Sequence, residues 1–266
     1  MSRIADCFAA LQAEGRKALT TFITAGDPTH AATVPALHAL VAGGADILEL
    51  GIPFSDPEAE GPAIQASSER GLRSGTTLAI CLEMVREFRS DDQKTPVVLM
   101  GYLNSVLAMG ESAFAEAAAA AGVDGLIMVN LPPEEATVLR PALRSRDIDL
   151  IFLAAPTTTP ERLKMIVEVA SGFVYYVSLK GITGASNLDV DAVAGRLAEI
   201  RAETELPVQV GFGIKDAATA RGVAEHADGV VIGSALVNTM ADHTDPDARN
   251  AALGEQVAVL RHALDG

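Results

Sequence analysis

Eight short apolar runs, separated by stretches with helical spacing, constrain this chain more than any other feature of its sequence. They are ALTTFITAG from Ala18, ILELGIP from Ile47, PVVLMGY from Pro96, GLIMVNLP from Gly125, LIFLAAP from Leu150, FVYYVSL from Phe173, PVQVGFGI from Pro207 and GVVIGSAL from Gly229. Each is continuously apolar rather than alternating, the pattern of parallel strands covered on both faces. The segments between them read as helices. Thr77 to Arg89 sets Leu78, Cys81, Leu82 and Val85 on one face, Ser112 to Ala121 is rich in alanine, and Pro133 opens a segment with two early glutamates. Pro160 to Ala170 and Leu188 to Ala202 follow the same pattern. Eight such units predict an α/β chain folded as one (β/α)8 barrel over residues 1–266, with an extra N-terminal helix in MSRIADCFAALQAEGRKA. The competing arrangement, an open doubly wound sheet, usually has fewer strands and a nucleotide fingerprint after the first; here that place holds TAGDPTH.

Charge and composition exclude several classes of partner. The chain has 20 Lys and Arg against 35 Asp and Glu, a formal net charge of -15. A field of that sign repels nucleic-acid backbones and anionic membranes. No uncharged apolar run is long enough to span a bilayer, and the N-terminus lacks the apolar core of a signal peptide, so a cytoplasmic protein is expected. Cys7 and Cys81 match no metal or redox spacing, and no two of His30, His38, His226, His243 and His262 sit at ligand spacing. Neither a metal nor a cofactor is expected.

In such a barrel the chemistry belongs to the loops at the strand C-termini. Two of these connections are long, Pro53 to about Thr76 after strand 2 and Leu179 to Asn187 after strand 6, which suggests lids or contact surfaces. Small residues follow strands 6, 7 and 8 in SLKGITGAS, GFGI and GSA, and Ser234 adds a hydroxyl where a helix begins. Any one glycine pair is equally an ordinary tight turn; three in register point to backbone N–H groups around a phosphate. Glu49 stands alone between Leu48 and Leu50 in strand 2. It either forms a structural ion pair at the barrel mouth or is desolvated, raised in pKa and fitted for proton transfer. Asp56, Glu58 and Glu60 follow in the next loop, so that a strand acid and a loop acid approach one substrate from two sides. Tyr175 lines the same mouth or is a core aromatic with a satisfied hydroxyl.

ELGIPFSDPEAEGPAIQ, from Glu49 to Gln65, resembles the signature of the tryptophan synthase α subunit family. FITAGDP (Phe22–Pro28), MGYLN (Met100–Asn104), GVDGLIMVNLP (Gly122–Pro132) and the three glycine-rich segments agree in order and spacing, so the resemblance covers essentially the whole chain. It implies retro-aldol cleavage of indole-3-glycerol phosphate to indole and glyceraldehyde 3-phosphate, with indole passed to a β subunit in an α2β2 complex. It assigns Glu49 to indole C3 and the departing hydroxyl, and Glu60 to the ring nitrogen. Thr183 would hold the loop acid, Tyr175 would position substrate, and Phe22, Met100, Ile127 and Leu153 would contain the indole ring. Gly184, Gly213, Gly233 and Ser234 would bind phosphate. Asp56, Pro57, Asn104 and Asn130 are the candidate β contacts.

The chain departs from the family pattern at Glu60, where aspartate is usual, at Glu58, where an apolar residue is usual, and at Asn130, where aspartate is frequent. The longer Glu60, with a like charge from Glu58 raising its pKa, predicts a slower enzyme. A weakened α subunit that mainly binds and activates β is therefore the second reading. A different phosphate-binding barrel, such as an isomerase of the same pathway, is the third, and the Glu49, Tyr175 and Thr183 set disfavours it.

Overall fold

A computed structural model describes residues 2–178, 190–211, 214 and 216–266. Eight parallel strands close into a barrel in sequence order: β1 (Ala18–Thr24), β2 (Ile47–Gly51), β3 (Val97–Gly101), β4 (Gly125–Met128), β5 (Asp149–Ala154), β6 (Val174–Val177), β7 (Val208–Gly211) and β8 (Gly229–Ile232). β8 returns to β1, pairing Ala18 with Gly229. Both faces of each strand are buried, but against different partners. Val98 and Met100 of β3 enter the barrel interior, whereas Val97 and Leu99 pack outward beneath the helices. This double burial is the physical origin of the continuous apolar runs.

The helix Arg3–Ala13 plugs the strand N-terminal end of the barrel. Its Ile4, Phe8 and Leu11 join the interior cluster, with the Phe8 and Phe173 ring centroids 6.0 Å apart. Ser2 caps it, and Arg3 reaches Asp124 at 2.7 Å, which also accepts from buried Arg89 at 2.6 Å and from the Val97 N–H at 2.8 Å. With the barrel axis filled at that end by these side chains, the interior opens toward the strand C-termini.

Two connections differ from the sequence reading. The stretch from Pro53 to Thr76 is not one long loop: Gly61 and Pro62 start a helix, Pro62–Arg73, because proline suits the first helical position. That helix is fastened to the turn after β1 by the Arg70–Asp27 pair, at 2.6 and 2.8 Å, and by the Thr24–Ser67 hydroxyl contact at 2.6 Å. The helix expected from Pro133 is only a 3-10 turn, Pro133–Glu135, followed by a separate helix Leu139–Arg144. Pro141 has no N–H and its ring opposes a carbonyl one turn earlier, so the chain restarts with Pro141 in a first turn. The long connection expected after strand 6 lies outside the described residues.

Candidate active site

β2 carries Glu49 into the barrel because its flanking leucines must face outward beneath the helices. Glu49 is 1% exposed and, with Glu60 from the following loop, lines a cavity of about 230 Å³ at the strand C-termini. Phe22, Ile64, Met100, Tyr175, Ile214 and Val231 form its apolar wall, and Gly233, Ser234 and Ala235 close one end. Oε2 of each glutamate is buried with no hydrogen-bond partner. Burial first, then the charge of Glu60, pushes Glu49 up to about 8. Burial pushes Glu60 up to about 7. The anticipated repulsion from Glu58 is not its cause: Glu58 points to solvent, where charges are screened, and the shift follows from desolvation of Glu60 itself.

Tyr175 is buried in the same wall, and its phenol is held neutral by burial and then by the charges of Glu49 and Glu60. Its ring occupies space that only a glycine on β7 leaves open, since a Cβ at Gly211 would stand 2.2 Å from the Tyr175 oxygen. Gly233 caps the helix Ser234–Asp242, whose N-terminus opens onto the cavity. No Lys, Arg or His is among the described residues lining it. An anion seated there would meet unpaired backbone N–H groups and the positive helix end.

Not every expected residue is in the wall. Ile127 and Leu153 do not line the cavity; Ile127 is fully buried in the interior cluster, against which Leu153 packs. Thr183, Gly184 and Gly213 lie outside the described residues. Ile64, Ile214, Val231 and Ala235 were missed because their positions say nothing about which way they point until the barrel closes. Tyr102 was missed too, although a tyrosine at the end of strand 3 was a usable signal. Its ring stacks on Phe54, centroids 4.9 Å apart, and its oxygen accepts a 3.0 Å hydrogen bond from the Ala59 N–H.

The candidate docking residues occupy the same face. Asp56, Asn104 and Asn130 are exposed and Pro57 is half-buried. Asn130 accepts from the Leu103 N–H at 2.8 Å and donates to the Asn104 side chain at 3.1 Å, joining the loops after β3 and β4. A larger cavity of about 470 Å³ lies at the opposite end, but there Arg16 is paired with Glu14 and Asp265, and Arg201 with Asp228. Its remaining acid, Glu205, is exposed, so no buried unpartnered carboxyl lines it and it offers no comparable chemistry. Among the described residues no group of three or more His, Cys, Asp or Glu is placed to hold a metal, and no helix is long and apolar enough to cross a membrane.

Comparison with known proteins agrees with this geometry. The family profile described as tryptophan synthase alpha chain matches residues 8–263. The tryptophan synthase alpha chain of Thioalkalivibrio sulfidiphilus is 59% identical over 266 residues, covering 100% of both chains. That of Burkholderia pseudomallei is 58% identical, covering 100% of this chain and 98% of its own. Among solved structures, tryptophan synthase subunit alpha from Legionella pneumophila superposes with a TM-score of 0.91 at 42% identity, covering 100% of this chain and 99% of that one. Tryptophan synthase from M. tuberculosis, in an open form with BRD0059 bound, gives 0.86 at 38% identity, covering 98% and 99%.

Proposed function

Since the chain belongs to the tryptophan synthase alpha chain family, we propose a division of labour in its barrel mouth for the family's reaction, cleavage of indole-3-glycerol phosphate to indole and glyceraldehyde 3-phosphate. It is a carbon–carbon lyase of tryptophan biosynthesis and works with a β subunit. The observation that carries the division of labour is the pair Glu49 and Glu60: two carboxyls in one apolar cavity, each with a buried unpartnered oxygen, beside a helix N-terminus.

Indole C3 is a poor carbanion, so the bond to the glycerol chain breaks only after C3 is protonated. Glu49, raised to about 8, enters as the acid and delivers that proton. The ring becomes an indoleninium with positive charge at its nitrogen. Glu60, ionised, faces that charge in a low-dielectric cavity, where a fixed anion is worth far more than in water. Glu49, now a carboxylate, takes the proton from the hydroxyl next to the ring. The aldehyde forms, the bonding pair of the broken carbon–carbon bond returns to the ring, indole leaves, and Glu49 is protonated again.

Phe22 and Met100 hold the flat ring, Tyr175 orients it, and Gly233 and Ser234 present the helix N-terminus to the phosphate. Thr183, Gly184 and Gly213 complete the lid and phosphate loop in this proposal. Asp56, Pro57, Asn104 and Asn130 face β in an α2β2 assembly. In this reading the enzyme works in the cytoplasm. The test is the rate of indole release from purified protein, alone and with a β subunit. Release from indole-3-glycerol phosphate is expected in both, faster with β; none in either would overturn the reading.

A further inference from the structure

Glu60 sits at a boundary. On one side is the main cavity; on the other is a narrow crevice whose walls include Thr24, Pro57, Ser68 and Tyr102. Tyr102 is 4% exposed, at the C-terminal end of β3, and makes two separate attachments to the loop that carries Glu60. Its ring stacks on Phe54 at 4.9 Å with an 18° interplanar angle, and its oxygen accepts from the Ala59 N–H at 3.0 Å. The remaining loop bonds are local: Glu58 N–H to the Asp56 carbonyl at 2.9 Å, Glu60 N–H to the Pro57 carbonyl at 3.0 Å, and the Gln65 side chain to the Glu60 carbonyl at 2.8 Å. These fix the shape of the loop but not its place over the barrel. Tyr102 is the residue that ties the Ala59–Glu60 peptide to a strand.

We propose that Tyr102 is a positioning residue for Glu60: its hydroxyl anchors the loop at Ala59 and is the donor onto which the Glu60 carboxylate swings across the crevice they share. The hydroxyl proton has no acceptor among the described residues, and Glu60 Oε2 has no donor, although both groups border the same crevice. The phenol is pushed up to about 12, by burial first and with the charge of Glu60 contributing, so it stays a neutral donor across the working pH range. A hydroxyl that accepts from the loop backbone and receives the loop's acid once the carboxylate has swung to it fixes both ends of the lever that sets where negative charge meets the ring nitrogen. Placement of that charge acts on the transition state rather than on substrate binding.

The inference rests on Glu60 being the acid at the ring nitrogen, and the experiment separates the two. Tyr102→Phe keeps the ring and its stacking on Phe54 and removes only the hydroxyl. With β present, kcat should fall at least fivefold while KM changes less than threefold; about 1 Å of misplacement suffices for losses of this order and more. Under single-turnover conditions the same substitution in a Glu60→Gln background should cause no further loss, because the group it positions is gone. A fall in kcat of less than fivefold in Tyr102→Phe, a rise in KM that accounts for the loss, or an equal loss in both backgrounds overturns the role given to Tyr102. Full turnover in Glu60→Gln would instead overturn the role given to Glu60, and the inference with it.

Discussion

The charge of Glu60 reaches Glu49 across the cavity they share, adding to the burial that lifts the Glu49 carboxyl to about 8. The proposed chemistry needs Glu49 protonated and Glu60 ionised. The pH profile of kcat/KM should therefore be a narrow bell, with an acid limb near 7 from Glu60 and an alkaline limb near 8 from Glu49. These limbs belong to the coupled pair. In Glu60→Gln, NMR titration of the Glu49 carboxyl should give a lower midpoint, still above 4.5, because one cause is removed and burial remains. An unmoved midpoint would show that the two acids do not sense each other.

Glu49→Gln should reduce indole release by a factor of about 100 to 10,000, the usual contribution of a positioned acid–base group. It should also stabilise the protein in alkaline solution. Glu49 is raised above its usual 4.5, so its favourable contribution is full below 4.5 and is lost as pH rises toward 8, where the unfolded chain ionises freely and the folded one resists. Thermal melts at pH 8 should show the variant above the parent, each kcal/mol appearing as about 2–4 °C, and the gap should close by pH 4. A variant that melts lower at pH 8 would mean that Glu49 has a stabilising partner.

Glu60→Asp should raise kcat by about tenfold with β present, roughly 1.4 kcal/mol of barrier, because the shorter side chain need not fold back and loses less rotamer freedom on closure. Glu58→Leu should add little, since Glu58 is exposed and burial accounts for the raised Glu60 carboxyl. Steady-state rates of the two single variants and the double settle this: an unchanged or lower kcat in Glu60→Asp shows a loop already fitted to glutamate.

Gly233→Ala should raise the KM for indole-3-glycerol phosphate with a smaller effect on kcat. A Cβ at 233 meets nothing closer than Phe22 at 3.5 Å, an ordinary contact, so the fold tolerates it. In the proposed arrangement the new methyl nevertheless stands in the path by which the phosphate approaches the helix N-terminus. Equal KM values for variant and parent would put the phosphate elsewhere.

Asp56→Lys should weaken binding to the β subunit at least tenfold, measured by titration against purified β, with little change in the melting temperature of the isolated chain. Asp56 is exposed and forms no ion pair among the described residues, so the change costs the monomer little. Equal affinity would place the docking face away from this loop.

The sequence by itself determined the layered part of this protein. Strands buried on both faces must be continuously apolar, so the eight runs at Ala18, Ile47, Pro96, Gly125, Leu150, Phe173, Pro207 and Gly229 could be read without any knowledge of contacts, and every one holds a strand. Glu49 was legible for the same reason, as a charge where the pattern permits none. The tertiary structure decided what depends on direction and closure. Only the closed barrel shows that Ile64, on the helix after β2, and Val231, on β8, share a wall with Glu49 while Ile127 does not reach it, because which side chains face a cavity follows from how the elements pack rather than from residue type. Only the packed loop shows that burial, and not Glu58, raises Glu60, and that Tyr102, just past the end of β3, holds Ala59. Desolvation and long-range hydrogen bonds depend on which atoms exclude water from a group, and neighbours in sequence do not fix that.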